Sequence, residues 1–321
     1  MGERDAIRRL RKAIGETGDL GRGRDDCAVL PGGAETVLLA STDMVLGRTH
    51  MLPGVTPGML GRFATEIAVS DVAAMGGWPL AVLCGYAMPP ETDLHWLEEV
   101  SKGMAEAARD LGTWVMGGDT KASPEPTIAV TALGSVDLGQ CMFRSGAREG
   151  DALLLTGPVG GPALGFNMER NPDGTLTNRA LELIYGVRAR VRAGMTLANS
   201  GYAHACIDLS DGLAPCLAQM MEASGKGAWL EWACVPLVDG MEEFPHLQFD
   251  LQEMALSWGG EYELLAAVDP AGVEPLMRDL GRLGLVPAIV GSVHGDPRKN
   301  VITRGRGHEA LETHGFDHFR T

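Results

Sequence analysis

Seven aspartates in short, turn-rich clusters are the residues of this chain whose types and spacing could do chemistry. Each stands close to glycine, serine, threonine or alanine, and they are Asp25, Asp26, Asp43, Asp71, Asp119, Asp208 and Asp211. A single aspartate in such a context is usually a helix cap or a turn residue. Five separate segments with the same feature point to a shared site, because Mg²⁺ is held by a few carboxylates together with substrate phosphates. The pattern predicts a phosphoryl-transfer enzyme whose aspartates converge in the fold.

Alternating strands and helices must position these aspartates. Thr56 and Pro57 form an N-cap and first-turn pair that opens a helix through about Met75. Apolar periodicity predicts further strands at 36–45, 80–88, 113–117, 127–136, 152–156 and 204–208, and further helices at 93–111, 178–200 and 211–224. The 321 residues suffice for about two domains of ordinary size. We therefore predict an α/β (α+β) protein with two mixed domains.

The contexts of three segments favour a metal and phosphate site over simple turns. Asp71 would lie inside a helix of small and apolar residues, where a charge should be paired or bound to a metal. Gly117-Gly118-Asp119-Thr120 follows a predicted strand, so its backbone amides could approach a phosphate closely. Residues 207–212 place two carboxylates and a hydroxyl at a helix start, where the first amides favour phosphate.

Composition and missing motifs exclude several function classes. The formal charge of −15 and the lack of a long basic run argue against nucleic-acid binding. The chain contains no G-x-x-x-x-G-K-[ST] phosphate loop, no H-E-x-x-H metal motif and no recognisable His or Cys nucleophile. Six widely spaced cysteines predict reduced thiols, and no stretch approaches the ~20 apolar residues that a membrane span needs. We expect a soluble, cytoplasmic protein with no membrane partner.

An ordered set of motifs resembles a known family. The motifs are Asp25-Asp26-Cys27-Ala28, Ser41-Thr42-Asp43-Met44 with His50 beyond it, Ser70-Asp71-Val72-Ala73-Ala74-Met75-Gly76, Gly117-Gly118-Asp119-Thr120, Arg144-Ser145-Gly146-Ala147, Ile207-Asp208-Leu209-Ser210-Asp211-Gly212-Leu213 and Gly315-Phe316-Asp317-His318-Phe319. Together they are similar to the thiamine-monophosphate kinase family of the aminoimidazole-ribonucleotide-synthetase-like superfamily. The resemblance spans nearly the whole chain.

The resemblance implies an architecture and a reaction. It implies an N-terminal domain, residues 1–140, that binds ATP and Mg²⁺ and pairs with its twin so that the sheets form a dimeric barrel. A C-terminal α/β domain, residues 141–321, would complete the nucleotide and substrate site. The implied reaction is ATP-dependent phosphorylation of thiamine monophosphate to thiamine diphosphate. Because the acceptor is itself an anionic phosphate, direct in-line transfer needs no strong general base and is favoured over a phosphoenzyme.

The resemblance also implies a role for individual residues. Several Mg²⁺ ions would be bound by Asp26, Ser41, Thr42, Asp43, Asp71, Asp119, Asp208 and Asp211. The nucleotide would be faced by Gly118, Asp119, Arg144 and Ser210. Transfer itself would depend most on Asp43, Asp211 and Arg144, and thiamine monophosphate would be contacted by His50, Glu261 and Phe316.

One departure from the family pattern keeps alternative functions open. The family's Gly-Gly-Glu-Asp-Tyr-Glu-Leu stands here as Trp258-Gly259-Gly260-Glu261-Tyr262-Glu263-Leu264. Gly260 replaces the glutamate that reaches the substrate, although Glu261 supplies a carboxylate one position later. An ATP–Mg²⁺ phosphotransferase with another acceptor, or a catalytically silent nucleotide-binding relative, would also fit these residues.

Overall fold

The computed structural model describes residues 3–15, 19–20, 25–241, 251–304 and 307–312 and arranges them around two β-sheets. The helices, in chain order, are α1 (Glu3–Ile14), α2 (Gly47–His50), α3 (Pro57–Ala74), α4 (Leu94–Asp110), α5 (Gly161–Asn167), α6 (Asn178–Tyr185), α7 (Val191–Ser200), α8 (Leu213–Ser224), α9 (Leu251–Ser257) and α10 (Val273–Arg282). The strands are β1 (Ala28–Pro31), β2 (Thr36–Leu46), β3 (Trp78–Met88), β4 (Val115–Ala122), β5 (Thr127–Asp137), β6 (Ala152–Leu155), β7 (Ala203–Asp208), β8 (Gly227–Glu231), β9 (Leu264–Val268), β10 (Ala288–His294), β11 (Asn300–Arg304) and β12 (Gly307–Ala310). The predicted mixed α/β class is confirmed.

The first sheet is open and has five strands in the order β1-β2-β5-β3-β4. Neighbouring strands are antiparallel except for β3 and β4, which run parallel. Alternate residues of β5, among them Ile128, Val130 and Ala132, are buried, as expected for a strand with one face against a core. That face packs against α3, and the outer strand β4 is exposed along its whole length.

Helix α3 is the central element that later carries part of the site. The Thr56 hydroxyl accepts a hydrogen bond from the Met59 amide and Pro57 opens the first turn, which confirms the predicted start. Two glycines let α3 pack closely against α4. A Cβ at Gly61 would lie 1.9 Å from the Val100 carbonyl oxygen, and a Cβ at Gly103 would lie 2.0 Å from that of Gly58.

The second sheet has seven strands in the order β12-β11-β8-β10-β6-β9-β7. Strand β6 is buried on both faces, because Leu153 and Leu155 lie in the core beneath α8 and α9 while Leu154 lies in the core beneath α7 and α10. A continuous apolar strand of this kind is typical of a sheet covered on both sides. Among the described helices, none combines the length and apolar character that a membrane crossing requires.

Two predicted regions gain detail in the structure. The helical region predicted over 178–200 consists of two helices, separated by residues 186–190. The Ala189 amide donates to the buried Glu66 carboxylate and Arg190 pairs with Glu263, so tertiary contacts hold this break open. The segment 117–120 was predicted to follow a strand, but it lies within β4.

Candidate functional site

Three aspartates that are far apart in the sequence meet where the two sheets approach each other. One carboxylate oxygen each from Asp26, Asp71 and Asp208 lies within 4.8 Å of the other two. The Asp26 side chain is only 1% exposed, and Asp208 is buried. Two of their oxygens, Asp26 Oδ2 and Asp208 Oδ1, are buried without a hydrogen-bond partner among the described residues. Buried carboxylates left in this state have capacity to bind a cation.

Different local structures place the three carboxylates. Asp71 lies in the last turn of α3, near the helix end where the aligned peptide dipoles disfavour negative charge. Asp208 ends β7, and its Oδ2 accepts a 2.6 Å hydrogen bond from the Ser70 hydroxyl. Asp26 precedes β1. The α3 end therefore brings both Asp71 and the partner of Asp208 to one point.

The electrostatics of this acidic centre (Asp26, Asp71 and Asp208, with Asp43 beside Asp71) favour a bound cation. Burial, and then the charges of Asp43 and Asp208, raise the pKa of Asp71 well above its ordinary value. Burial and the charge of Asp26 raise the pKa of Asp208 to about 8. Burial also raises the pKa of Asp43 to about 6, and Asp43 Oδ2 is a further buried oxygen without a partner in the described chain. A divalent cation would offset this unfavourable concentration of negative charge.

Arg144 is the cation that contacts the acidic centre. Its Nε and terminal nitrogen donate to Asp26 Oδ1 at 3.2 and 2.6 Å, while its backbone amide donates to Asp25 Oδ1 at 2.7 Å. The other terminal nitrogen donates to Gln219, which in turn donates to Asp211 Oδ2 at 3.1 Å. Burial lowers the pKa of Arg144, but the stronger combined effect of Asp26 keeps it raised, so the guanidinium stays charged.

Two loops beside the acidic centre are packed tightly together. Residues 209–212 lead into α8, and residues 258–263 lead into β9. A Cβ at Gly259 would lie 2.0 Å from the Ser210 carbonyl oxygen, and the Gly260 amide donates to that oxygen at 2.9 Å. The N-cap Gly212 supplies no side-chain hydrogen bond to the first amides of α8. The first turn of this twelve-residue helix therefore offers a phosphate the amides of Leu213 and Ala214 and a positive dipole end, while Pro215 in the third position has no amide hydrogen.

Some residues predicted to bind metal lie apart from the acidic centre in the single chain. The Ser41 hydroxyl donates to the Ala68 carbonyl, and on β2 the Thr42 side chain points to the opposite face from Ser41 and Asp43. Thr42 Oγ1 donates to the Val130 carbonyl. Asp119 is exposed on β4, where its carboxylate pairs with Lys121 at 2.9 Å. Asp119 therefore lies apart from the three-aspartate cluster.

The residues predicted to face the nucleotide lie in two places. Arg144 and Ser210 lie beside the acidic centre, whereas Gly118 and Asp119 line a separate cavity of about 270 Å³ together with Tyr86 and Met104. The glycine at 118 has a structural cause as well, because a Cβ there would lie 1.6 Å from the Cys84 carbonyl oxygen of the paired strand.

The residues predicted to contact the acceptor are partly described. His50 ends α2, and its Nδ1 accepts from the Leu46 amide at 3.2 Å. Glu261 is buried; its Oε1 accepts from the Gly160 amide at 3.1 Å, while Oε2 has no hydrogen-bond partner in the described chain. Burial raises the pKa of Glu261 to about 8. Gly260 has φ +96°, a conformation that favours glycine. Phe316 lies outside the described residues.

Gln219 is a site residue that sequence reasoning missed. It lies on α8 and joins Arg144 to Asp211 by two hydrogen bonds. Its position on α8, eight residues after Asp211 in the preceding loop, is a weak signal, since any polar residue on that face of the helix would look alike. Ser70 was quoted only as part of a motif, yet its hydroxyl is the hydrogen-bond donor to Asp208.

Comparison with known proteins gives one consistent result. Residues 24–136 match the family AIR synthase related protein, N-terminal domain, and residues 148–304 match AIR synthase related protein, C-terminal domain. The thiamine-monophosphate kinase of Escherichia coli strain K12 is 31% identical over 307 residues, covering 94% of this chain and 93% of the relative. The crystal structure of thiamine-monophosphate kinase from Stenotrophomonas maltophilia K279a is 26% identical, with a TM-score of 0.73, and covers 89% of this chain and 92% of that one. The fold is also that of AaThiL complexed with AMPPCP and TMP, with a TM-score of 0.83 and 24% identity over 99% of this chain and 97% of that chain.

Proposed function

The chain belongs to the thiamine-monophosphate kinase family, and we propose on that premise that it uses ATP to phosphorylate thiamine monophosphate to thiamine diphosphate. The observation that carries this proposal is the acidic centre, where three carboxylates meet and two buried oxygens have no hydrogen-bond partner among the described residues. A kinase needs such a centre, because the charge of the transferring phosphoryl group must be offset by cations. The E. coli relative named for this reaction aligns with 94% of the chain.

The donor set fits magnesium. The carboxylates of Asp26, Asp71 and Asp208 are oxygen ligands of the kind that Mg²⁺ prefers, and their unmatched negative charge suits a divalent ion. These three residues would hold the ion, with Asp43 and Asp211 nearby. When bound, the ion would supply charge neutralisation and orientation to the phosphates of ATP. Ser41, Thr42 and Asp119 remain proposed ligands of further ions.

The protein's own groups account for the handling of both phosphates. The α8 amides and Ser210 would bind phosphate oxygens, and Arg144 would screen the repulsion between the two anionic substrates. Asp43 and Asp211 would position the reacting groups through the ions. Since the acceptor oxygen is already anionic, transfer in line requires alignment rather than removal of a proton. Gly118 and Asp119 would contact the nucleotide from the cavity lined by Tyr86 and Met104.

The acceptor would bind on the opposite side of the acidic centre. His50 and Glu261 are the proposed contacts, together with Phe316, which lies outside the described residues. Support for Glu261 comes from its buried Oε2, which has no hydrogen-bond partner within the described chain. The partner of that oxygen would be a donor on thiamine monophosphate.

A homodimer is part of the proposal. The outer face and outer edge of the first sheet expose large apolar side chains, including Met44, Trp78, Leu80, Trp114 and Met116, more than an isolated sheet normally presents to water. Pairing with a second copy would cover them and would turn the open sheet into the proposed barrel. The division into domains at residue 140 and a cytoplasmic location belong to the same proposal.

A coupled assay tests the function. Purified protein is incubated with ATP, Mg²⁺ and thiamine monophosphate, ADP release is followed, and thiamine diphosphate is identified by mass. We expect the product from the wild-type chain and a loss of turnover by orders of magnitude in Asp43→Asn. ADP release only with a different phosphate acceptor would favour the alternative acceptor that Gly260 left open. Mg²⁺-dependent ATP binding with no turnover would favour a silent relative.

A further inference from the structure

Tyr262 has a backbone conformation that tyrosine rarely adopts. Among the described residues it is the one non-glycine residue with positive φ, at +52°. The conformation interrupts the ladder between β7 and β9. The Leu209 amide donates to the Glu263 carbonyl, but the Tyr262 amide, rather than that of Glu263, donates to the Leu209 carbonyl. This irregularity is a bulge, and bulges beside active sites redirect a side chain.

The redirected ring leaves its own sheet and contacts the opposite half of the molecule. It packs against the core of the first sheet and meets Phe63 of α3 edge-on, with ring centroids 6.3 Å apart. Phe63 also lies 6.4 Å from the ring of His50. Tyr262 therefore belongs to the aromatic wall that runs toward the proposed acceptor contact His50.

The other end of the same side chain lies in the field of the acidic centre. Burial, and then the charges of Asp43 and Asp208, raise the pKa of Tyr262 well above its ordinary value, so the hydroxyl remains a protonated donor. Within the described chain no group forms a hydrogen bond with that hydroxyl. The loop that carries this donor is packed against residues 209–212, beside the acidic centre.

We propose that Tyr262 binds the acceptor, with its hydroxyl donating a hydrogen bond to an oxygen of the acceptor's phosphate and its ring forming part of the acceptor wall. The geometry fits, because the rings of His50, Phe63 and Tyr262 follow one another at centroid distances of 6.4 and 6.3 Å and so join the proposed acceptor contact His50 to the loop beside the acidic centre. The strained backbone is consistent with this role, since such conformations persist mainly where surrounding structure enforces them for function. The inference rests on the proposed kinase function and extends it to a residue that no motif role covers.

The test compares Tyr262→Phe with Tyr202→Phe. The first substitution removes only the hydroxyl, and the control removes the hydroxyl of a partly exposed tyrosine beside α10. Steady-state kinetics are measured for each substrate in turn, with the dissociation constant of thiamine monophosphate measured by equilibrium dialysis. All measurements are made at a temperature at which circular dichroism shows each variant folded.

We expect Tyr262→Phe to raise both KM and the dissociation constant for thiamine monophosphate by about 10- to 100-fold, the usual effect of a lost hydrogen bond to a charged group. The KM for ATP and the values for Tyr202→Phe should stay within about twofold of wild type. An active wild type with an unchanged Tyr262→Phe variant would overturn the assignment of Tyr262 alone. An equal rise in the KM for ATP would also overturn it, because the hydroxyl would then not be specific to the acceptor. A wild type that forms no thiamine diphosphate would overturn the proposed function and this inference together.

Discussion

Buried carboxylates occur in two regions of this molecule, and the two regions differ in how their charge is balanced. In the acidic centre, Arg144 is the one arginine of the described residues that contacts Asp26, Asp71 or Asp208, and it is already bonded to Asp26. In the contacts between the two halves, Glu66 lies within 4.0 Å of Arg62 and Arg188, and Glu263 forms a two-point ion pair with Arg190. Asp208 in the first region and Glu66 and Glu263 in the second are all at most 3% exposed, so burial alone does not explain the difference.

The difference separates structural carboxylates from functional ones. A buried charge destabilises a fold unless it is paired. The contacts at Glu66 and Glu263 satisfy that requirement within the chain. They also fix residues 186–190, between α6 and α7, in place. Among the described residues the acidic centre does not satisfy it, and this deficit of positive charge supports the proposed cation site.

The comparison is tested most severely by removing a charge from the acidic centre. In Asp71→Asn we expect kcat to fall by about 10²- to 10³-fold or more, since a ligand for the charge that stabilises transfer is lost. The fold should be retained or stabilised. Burial raises the pKa of Asp71, so its carboxyl stabilises the fold at low pH and that contribution is lost as pH rises through the raised pKa. Asparagine stays neutral at every pH, so the variant avoids the cost of a buried negative charge.

Two measurements check this outcome, namely turnover in the coupled assay and the thermal unfolding midpoint without added metal. Asp137→Asn is the matched control, because it changes an exposed aspartate at the end of β5. A variant at Asp71 that loses stability while retaining turnover would place Asp71 with the structural carboxylates and reverse the comparison.

At Glu263, whose charge is already paired within the chain, we expect a substitution to lower stability. Arg190→Met leaves the Glu263 carboxylate buried, with the Thr156 hydroxyl as its remaining hydrogen-bond donor. We expect the free energy of unfolding to fall by about 3 kcal/mol, at the low end for a broken buried pair because Arg190 is 26% exposed. Urea denaturation measures the change.

Arg179→Met provides the contrast for Arg190→Met, because Arg179 pairs with Glu182 at an exposed position. Its effect should be under about 0.5 kcal/mol. If the two variants lost equal stability, the Arg190–Glu263 pair would be no more than another surface ion pair, and the proposed structural role of that region would fail.

The sequence predicts the elements of this fold better than it predicts how they meet. The strands at 36–46 and 127–137 and the helix at 57–74 follow from apolar periodicity and from the Thr56-Pro57 start, which are local signals. The sequence predicts helices over 178–200 but not the position of the break at residues 186–190, because its cause is tertiary, namely the contacts of Ala189 and Arg190 with distant carboxylates. Local propensity contains no information about such partners.

The acidic centre shows the same limit at the level of the site. Asp26 and Asp208 look like turn or cap residues on their own, and the Ser70–Asp208 hydrogen bond joins residues 138 positions apart. Their convergence could be expected only from the combined pattern and the family resemblance. The positive φ of Tyr262 could not be expected at all, because tyrosine has no preference for it.

The smallest expected effect concerns Glu66, one of the carboxylates that is paired within the chain. Glu66 has two arginines near it, yet burial still raises its pKa to about 6 from an ordinary value of 4.5. A carboxyl with a raised folded-state pKa stabilises the fold fully below 4.5 and loses that contribution as pH rises through 6. Relative to Glu66→Gln, the wild-type free energy of unfolding should therefore decrease by about 2 kcal/mol between pH 4 and pH 7.

Urea denaturation of both proteins across this range measures the difference. Glu106→Gln is the control, since Glu106 contacts the same Arg62 from an exposed position. A flat profile for Glu66→Gln would mean that the arginines balance Glu66 completely, which would make the contrast with the acidic centre sharper than proposed.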